Sequence, residues 1–219
     1  MSTFTTTVRG LHAWVAPVLK TIGKDAMLPV LCHARLEVAG SHALLTATDR
    51  FAASLSRVRF DHDDARAAVT VHVHRDALTR VLAVFRRPRG RVDPELAVTV
   101  THGRVRFEGM GLAVDVETAG FANFPDVRSL FRQALDTGPA FGGPMRVDFA
   151  RLAEFRIAHT RNLTTTVAQV PGGPGKPYVV RMGDDYLGLL MPRRLPDTES
   201  TPASITDGWT DALTTKEPA

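Results

Sequence analysis

The sequence predicts an α+β fold built from a repeated βαβββ unit, with antiparallel sheets that carry their helices on one face. Two observations lead to it. Helical periodicity begins at Leu11 and again at Arg75, 64 residues apart, and each stretch is preceded by one strand-like segment and followed by three. A third, partial copy of the same pattern appears after a Gly/Pro-rich interval.

In the first unit, residues 3–8 alternate as a strand does. Over 11–22, Leu11, Trp14, Val15, Val18, Leu19 and Ile22 recur at steps of three and four, which gathers them on one helical face. Gly23 marks the stop, and residues 30–38, 43–48 and 53–60 follow as strands, with Gly40-Ser41 supplying the first turn. The second unit restarts with a strand at 69–74 and a helix at 75–86, whose stripe is Leu78, Val81, Leu82 and Phe85. The run Arg86-Arg87-Pro88-Arg89-Gly90 ends that helix, because proline cannot continue it and glycine permits the turn. Strands at 96–101, 105–108 and 112–118 come next, separated by His102-Gly103 and by residues 109–111.

Between 119 and 144 the composition shifts to Gly120, Gly138, Pro139, Gly142, Gly143 and Pro144, a connector whose apolar residues within 124–135 suggest docking onto a folded body. Residues 149–161 then predict a third helix with Leu152 and Phe155 facing a core, followed by strands at 164–170, 178–182 and 187–191. The expected organisation is a complete two-unit domain at 1–126, a connector at 127–144, a half-domain at 145–195 and a disordered acidic tail at 196–219. Two units pack stably as a sheet layer over two helices. A third leaves a half-domain with no internal mate, from which self-association, a homo-oligomer, is expected.

Composition narrows the function classes. The formal charge is +4, but residues 197–219 hold a net −4, so the first 196 residues carry +8. A basic body suits a polyanionic partner. A single cysteine, Cys32, excludes an intrachain disulfide framework and fits a reducing compartment. No run approaches the ~20 apolar residues of a membrane helix, and the start MSTFTTTVRG lacks the basic and apolar regions of a secretory signal. A cytoplasmic location without a membrane partner is the expectation.

Several segments resemble the bacterial DNA polymerase III beta sliding clamp family. Leu28-Pro29-Val30-Leu31 is similar to the LPxL that opens a long strand there, and residues 44–51, LLTATDRF, resemble the ATD strand and turn of the family's middle domain. Phe124-Pro125-Asp126-Val127-Arg128 is similar to the FPDYR that closes that domain, and residues 189–195, LLMPRRL, resemble the MPxRL terminus. The resemblance covers about residues 3–195 and implies a DNA-clamp fold in shortened form, a middle domain plus the second half of the last. A family subunit has three two-unit domains and pairs into a ring around DNA, so ring closure here would have to differ.

The resemblance implies two functional sites and no cofactor. Helices of the family face nucleic acid with basic side chains that follow phosphates without reading bases, which permits sliding. The matching candidates are Lys20 and Lys24 by the first helix, Arg80, Arg86, Arg87, Arg89 and Arg91 on or after the second, and Arg151 and Arg161 on the third. Solvated helix faces are the plainer alternative for the same residues. The second implied site is an apolar cleft where DNA polymerases and other clamp-binding-motif proteins dock a short peptide. The positions are Thr48, Phe51, Ala53, Leu189, Met191, Pro192, Arg193 and Leu195; ordinary core packing is the alternative there. Phe51 and Arg193 depart from the family pattern. The function implied is a non-catalytic processivity or accessory factor in DNA replication or repair; the alternative is a clamp-derived interaction module that no longer encircles DNA.

Other motifs carry less. His72 and His74 share one strand face, but no third metal ligand is near in sequence. Residues 172–177, GGPGKP, lack the Ser/Thr and the helix of a phosphate loop and read as a hairpin turn. Cys32, inside a strand-like run, reads as core. No nucleophile–base pattern emerges, so an enzyme is not expected.

Overall fold

The computed structural model describes residues 1–60, 68–136, 147–158, 165–171 and 175–192. The first unit is β1 (Ser2–Thr7), α1 (Val8–Val18), β2 (His33–Ala39), β3 (His42–Thr48) and β4 (Ala52–Arg59). The second is β5 (Val69–His74), α2 (Arg75–Val84), β6 (Glu95–Thr101), β7 (Arg104–Gly109) and β8 (Leu112–Ala119). After α3 (Val127–Asp136) come α4 (Phe149–Glu154) with a 3-10 turn Phe155–Ala158, then β9 (Thr165–Gln169), β10 (Tyr178–Met182) and β11 (Tyr186–Leu190). This is the predicted α+β architecture.

The strands form one antiparallel array in the order β1-β6-β7-β8-β5-β2-β3-β4-β11-β10-β9. The two units exchange their first strands: β1 lies against β6 and β5 against β2. That exchange binds the units into one core. Both helices start at the same point of their units, directly after that strand. Thr7 Oγ1 accepts the Gly10 N–H at 3.0 Å, and His74 Nδ1 accepts the Asp76 N–H at 3.2 Å, each satisfying an otherwise orphaned donor. Arg75 Nη1 donates to the Ile22 carbonyl at 3.1 Å, tying α2 to the end of α1.

The predicted stripes close the core. Leu11, Trp14, Val15, Val18, Ile22, Leu78, Val81 and Phe85 are all buried, together with inward-facing Phe4, Leu36, Leu45, Val98 and Phe107. Fully burying each such side chain is worth roughly 1.5–3 kcal/mol before entropy is counted. Phe4 meets Trp14 edge-on, with ring centroids 5.8 Å apart.

Three segments differ from expectation. Residues 30–32 are not strand: Pro29 begins a 3-10 turn to Cys32, with its φ fixed by the ring, and the Leu31 carbonyl accepts the Gly23 N–H at 2.8 Å. Cys32 is buried as expected, but on that turn, where burial pushes its thiol pKa up. The connector contains a helix, α3, because its glycines and prolines begin only beyond it; Val127, Phe131 and Ala134 bury one face over β3, β4 and β11. The third predicted helix is shorter, since α4 gives way to the 3-10 turn at Phe155, and residues 159–161 lie outside the described residues.

The third unit is seated on the first. β11 pairs with β4 from Tyr186↔Ser56 to Leu190↔Ala52. Phe155 packs with Ala52, Tyr178, Val180, Tyr186 and Leu190 beneath the sheet. A Cβ on Gly188 would sit 2.5 Å from the Phe155 ring, so only glycine fits below that phenyl group. Gly188→Ala is expected to cost about 1–3 kcal/mol through displacement of Phe155, read as a lowered urea midpoint and faster proteolysis within the third unit.

On the opposite face of β2 and β5, His72 is 5% exposed beneath Phe121 and Phe124, and His33 meets His74 edge-on with ring centroids 4.9 Å apart. His72 Nδ1 lies 3.2 Å from the Phe121 N–H, which it accepts when that nitrogen is unprotonated. Burial lowers the pKa of both His72 and His33. A lowered folded pKa means that the unfolded chain binds protons first. Stability is therefore full above the unfolded value of about 6.5 and is lost as pH falls below it. The urea midpoint is expected to drop between pH 7.5 and 5.5, and His72→Leu should reduce that drop.

Candidate partner cleft and basic helix side

The cleft begins at the β3–β4 turn. Asp49 Oδ1 accepts the N–H groups of Phe51 and Ala52 at 2.9 and 2.8 Å, and the Arg50 N–H donates to Thr48 Oγ1 at 3.1 Å. Arg50 takes the left-handed conformation, φ 78°, that glycine adopts without cost. The turn so fixed thrusts Phe51 outward, 53% exposed, while its carbonyl accepts the Met191 N–H at 2.9 Å. The two segments singled out in the sequence therefore meet edge to edge.

Between them lies a cavity of about 410 Å³. Of the positions named from the sequence, Thr48, Phe51, Ala53, Leu189 and Met191 line it. Pro192 follows Met191 but does not line it, and Arg193 and Leu195 lie outside the described residues. The sequence reading missed one wall, Leu130, Gln133 and Ala134 of α3, and the floor contributed by Val170, Pro171 and Pro177. The spacing Val127, Leu130, Phe131, Ala134 was the signal available for that wall, since steps of three and four mark a helix face. Phe51, Leu130 and Met191 are 53%, 50% and 44% exposed, an apolar rim around a mostly apolar pocket.

Arg151 is tied to this turn. Its Nη1 donates to Asp49 Oδ2 at 2.6 Å, and its guanidinium lies 4.7 Å from the centre of the Phe51 ring. The hydrogen bond it donates to Asp49 raises its pKa. Arg151 thus clasps α4 to the β3–β4 turn, and its charge is already shared with a carboxylate. Arg161, its expected companion, lies outside the described residues.

The remaining basic candidates stand differently. Lys20, Lys24, Arg80, Arg86, Arg87, Arg89 and Arg91 are all exposed on the helix side or its flanking loops, and none has an ion-pair partner among the described residues. On the opposite face of the sheet the strand arginines are ion-paired, whereas Arg132 of α3 is exposed with no ion-pair partner among the described residues. Arg35 and Arg128 share Glu37, Arg57 and Arg59 share Asp185, Arg104 and Arg106 share Asp115, and Arg181 holds Asp184. Ion pairing among the described residues therefore differs between the two sides, which composition cannot reveal.

Among the described residues, no three His, Cys, Asp or Glu side chains gather as a metal site, and no helix is long and apolar enough to cross a membrane. The GGPGKP motif falls partly outside the described residues.

Repeated βαβββ units with exchanged first strands, and with α1, α2 and α4 on one face of the sheet, define a clamp-like protein. Its structural neighbours are bacterial DNA polymerase III beta sliding clamps, of which this chain has the fold in shortened form. The Bacillus subtilis DNA polymerase sliding clamp superposes with a TM-score of 0.71 at 14% identity, over 89% of this chain and 64% of its own. The beta subunit from Streptococcus pyogenes DNA polymerase gives 0.68 at 13%, over 89% and 66%, and the Thermotoga maritima beta subunit 0.65 at 12%, over 90% and 66%. The chain thus spans about two thirds of each, and at these identities the likeness is one of fold. No protein-family model and no curated protein matches the sequence.

Proposed function

We propose that this chain is a non-catalytic, clamp-like accessory factor of DNA replication or repair, cytoplasmic, which holds duplex DNA on its helix side and docks partner proteins in the cleft. The difference in ion pairing carries the reading: among the described residues seven exposed cations on one side lack carboxylate partners, while the strand arginines of the other side are paired. Unpaired cations, here Arg80 on α2 and six residues in the loops that follow α1 and α2, suit phosphate oxygens, and contacts of that kind are independent of sequence and sensitive to salt. The deciding experiment compares retention on nicked circular and on linear duplexes of equal length. Loss from free ends with retention on circles supports encirclement, equal retention supports open binding, and no retention on either overturns the DNA reading.

The second reading, a clamp-derived interaction module without DNA, is favoured by the cleft itself, whose apolar rim stays uncovered. In that case a clamp-binding-motif peptide binds while DNA does not.

A further inference from the structure

We propose that the open edge of β8 pairs antiparallel with β8 of a second copy across a two-fold axis, repeating between chains the junction that β4 and β11 make within one. The argument rests on the internal repeat and not on DNA binding. β4 and β11 are each the last strand of a unit, and they join along their edges. β8 is the last strand of the remaining unit. Beside β7 on one flank, it touches β5 at only His72↔Ala119 and Val73↔Thr118, which leaves residues 112–117 without a second neighbour among the described residues.

The equivalence holds in detail. The turns leading into β4 and β8 each hold a non-glycine residue at positive φ, Arg50 at 78° and Met110 at 56°, which sets Ala52 against Leu112 and Ser54 against Val114. Ala52 is 4% exposed where β11 covers it, whereas Leu112 is 48% exposed. The helices repeat the contrast. Pro17, the tenth residue after the α1 cap, is buried, and Val84, the tenth after the α2 cap, is 42% exposed. α1 touches the 3-10 turn of the third unit across the filled junction, so α2 is the helix left without such a neighbour.

The edge is also self-complementary. The Thr118 N–H donates to the Gly103 carbonyl on the β7 side, so by alternation the backbone groups of 113, 115 and 117 face the open side. Transferring the β4–β11 register places Val114 on the two-fold axis and Ala113 opposite Asp115 of the second copy. The residues facing outward then form hydrogen-bonded pairs, and no like charges lie directly opposite. Asp115 enters this contact already bridged by Arg104 and Arg106. Isologous pairing of one edge with itself closes without leaving a further edge of that kind.

The test combines mass with cross-linking. Sedimentation of the full chain should give an even number of copies, and Ala113→Pro, which removes only an outward N–H, should shift the association at least tenfold toward the smaller species. Under mild oxidation Val114→Cys should form a disulfide-linked dimer, and Ala113→Cys, offset from its counterpart, should do so at least tenfold more slowly. A monomer at 100 µM (about the highest concentration such a run would use) overturns the proposal. So does an oligomer indifferent to Ala113→Pro, or equal cross-linking by the two cysteine variants.

Discussion

Replacing Arg80, Arg86, Arg87, Arg89 and Arg91 together by alanine is expected to weaken duplex DNA binding by about a hundredfold or more near 0.1 M salt. The salt dependence should flatten with it. Each phosphate contact contributes about 0.9 to the slope of log affinity against log salt, so the slope reports how many of the five arginines reach the backbone. All five are exposed and carry no ion pair among the described residues, so the fold should survive their loss, with circular dichroism as the check. Arg104→Ala with Arg106→Ala serves as the control, because these arginines lie on the other face and already hold Asp115 and Glu108. Binding unchanged in the five-residue variant would remove nucleic acid from the proposed function.

The second large effect belongs to the cleft. Leu130→Glu combined with Met191→Glu should weaken binding of a fluorescent clamp-binding-motif peptide by about a hundredfold, a tenfold loss for each ~1.4 kcal/mol. A carboxylate at each rim position would have to be desolvated by an apolar anchor seated between them. Both residues are half exposed, so neither change opens a core, and an unaltered urea midpoint would show that binding alone is affected. An unaltered peptide affinity would mean that the cavity is a packing gap and not a docking site.

Much of the fold was legible because its elements carry their periodicity locally. The stripes from Leu11 to Ile22 and from Leu78 to Phe85 name the buried faces of α1 and α2 from spacing alone. Phe155 was likewise recognisable as core, although the glycine that accommodates it, Gly188, was not, because that requirement comes from a strand more than thirty residues away. Pro29–Cys32 misled for a local reason: an apolar, strand-like run was overruled by the ring of Pro29 and by the demand of Gly23 for a carbonyl. The cleft was legible on two of its walls, since Thr48, Phe51, Leu189 and Met191 sit in recognisable motifs. Its third wall depends on where α3 lies, and no residue pattern states that. The capture of Arg151 by Asp49 was equally hidden, as the two stand 102 residues apart.

The pairing of β4 with β11 also orders events in time. β4 is fixed early, through a short turn to β3, whereas its other neighbour is more than a hundred residues further along the chain. Loop closure over that distance is slow compared with closing a hairpin. During synthesis, then, the two-unit body can assemble while the seat for the third unit waits with its edge uncovered. The cavity beside Phe51 is completed only once the Met191 N–H reaches the Phe51 carbonyl, which places its closure among the last steps of assembly.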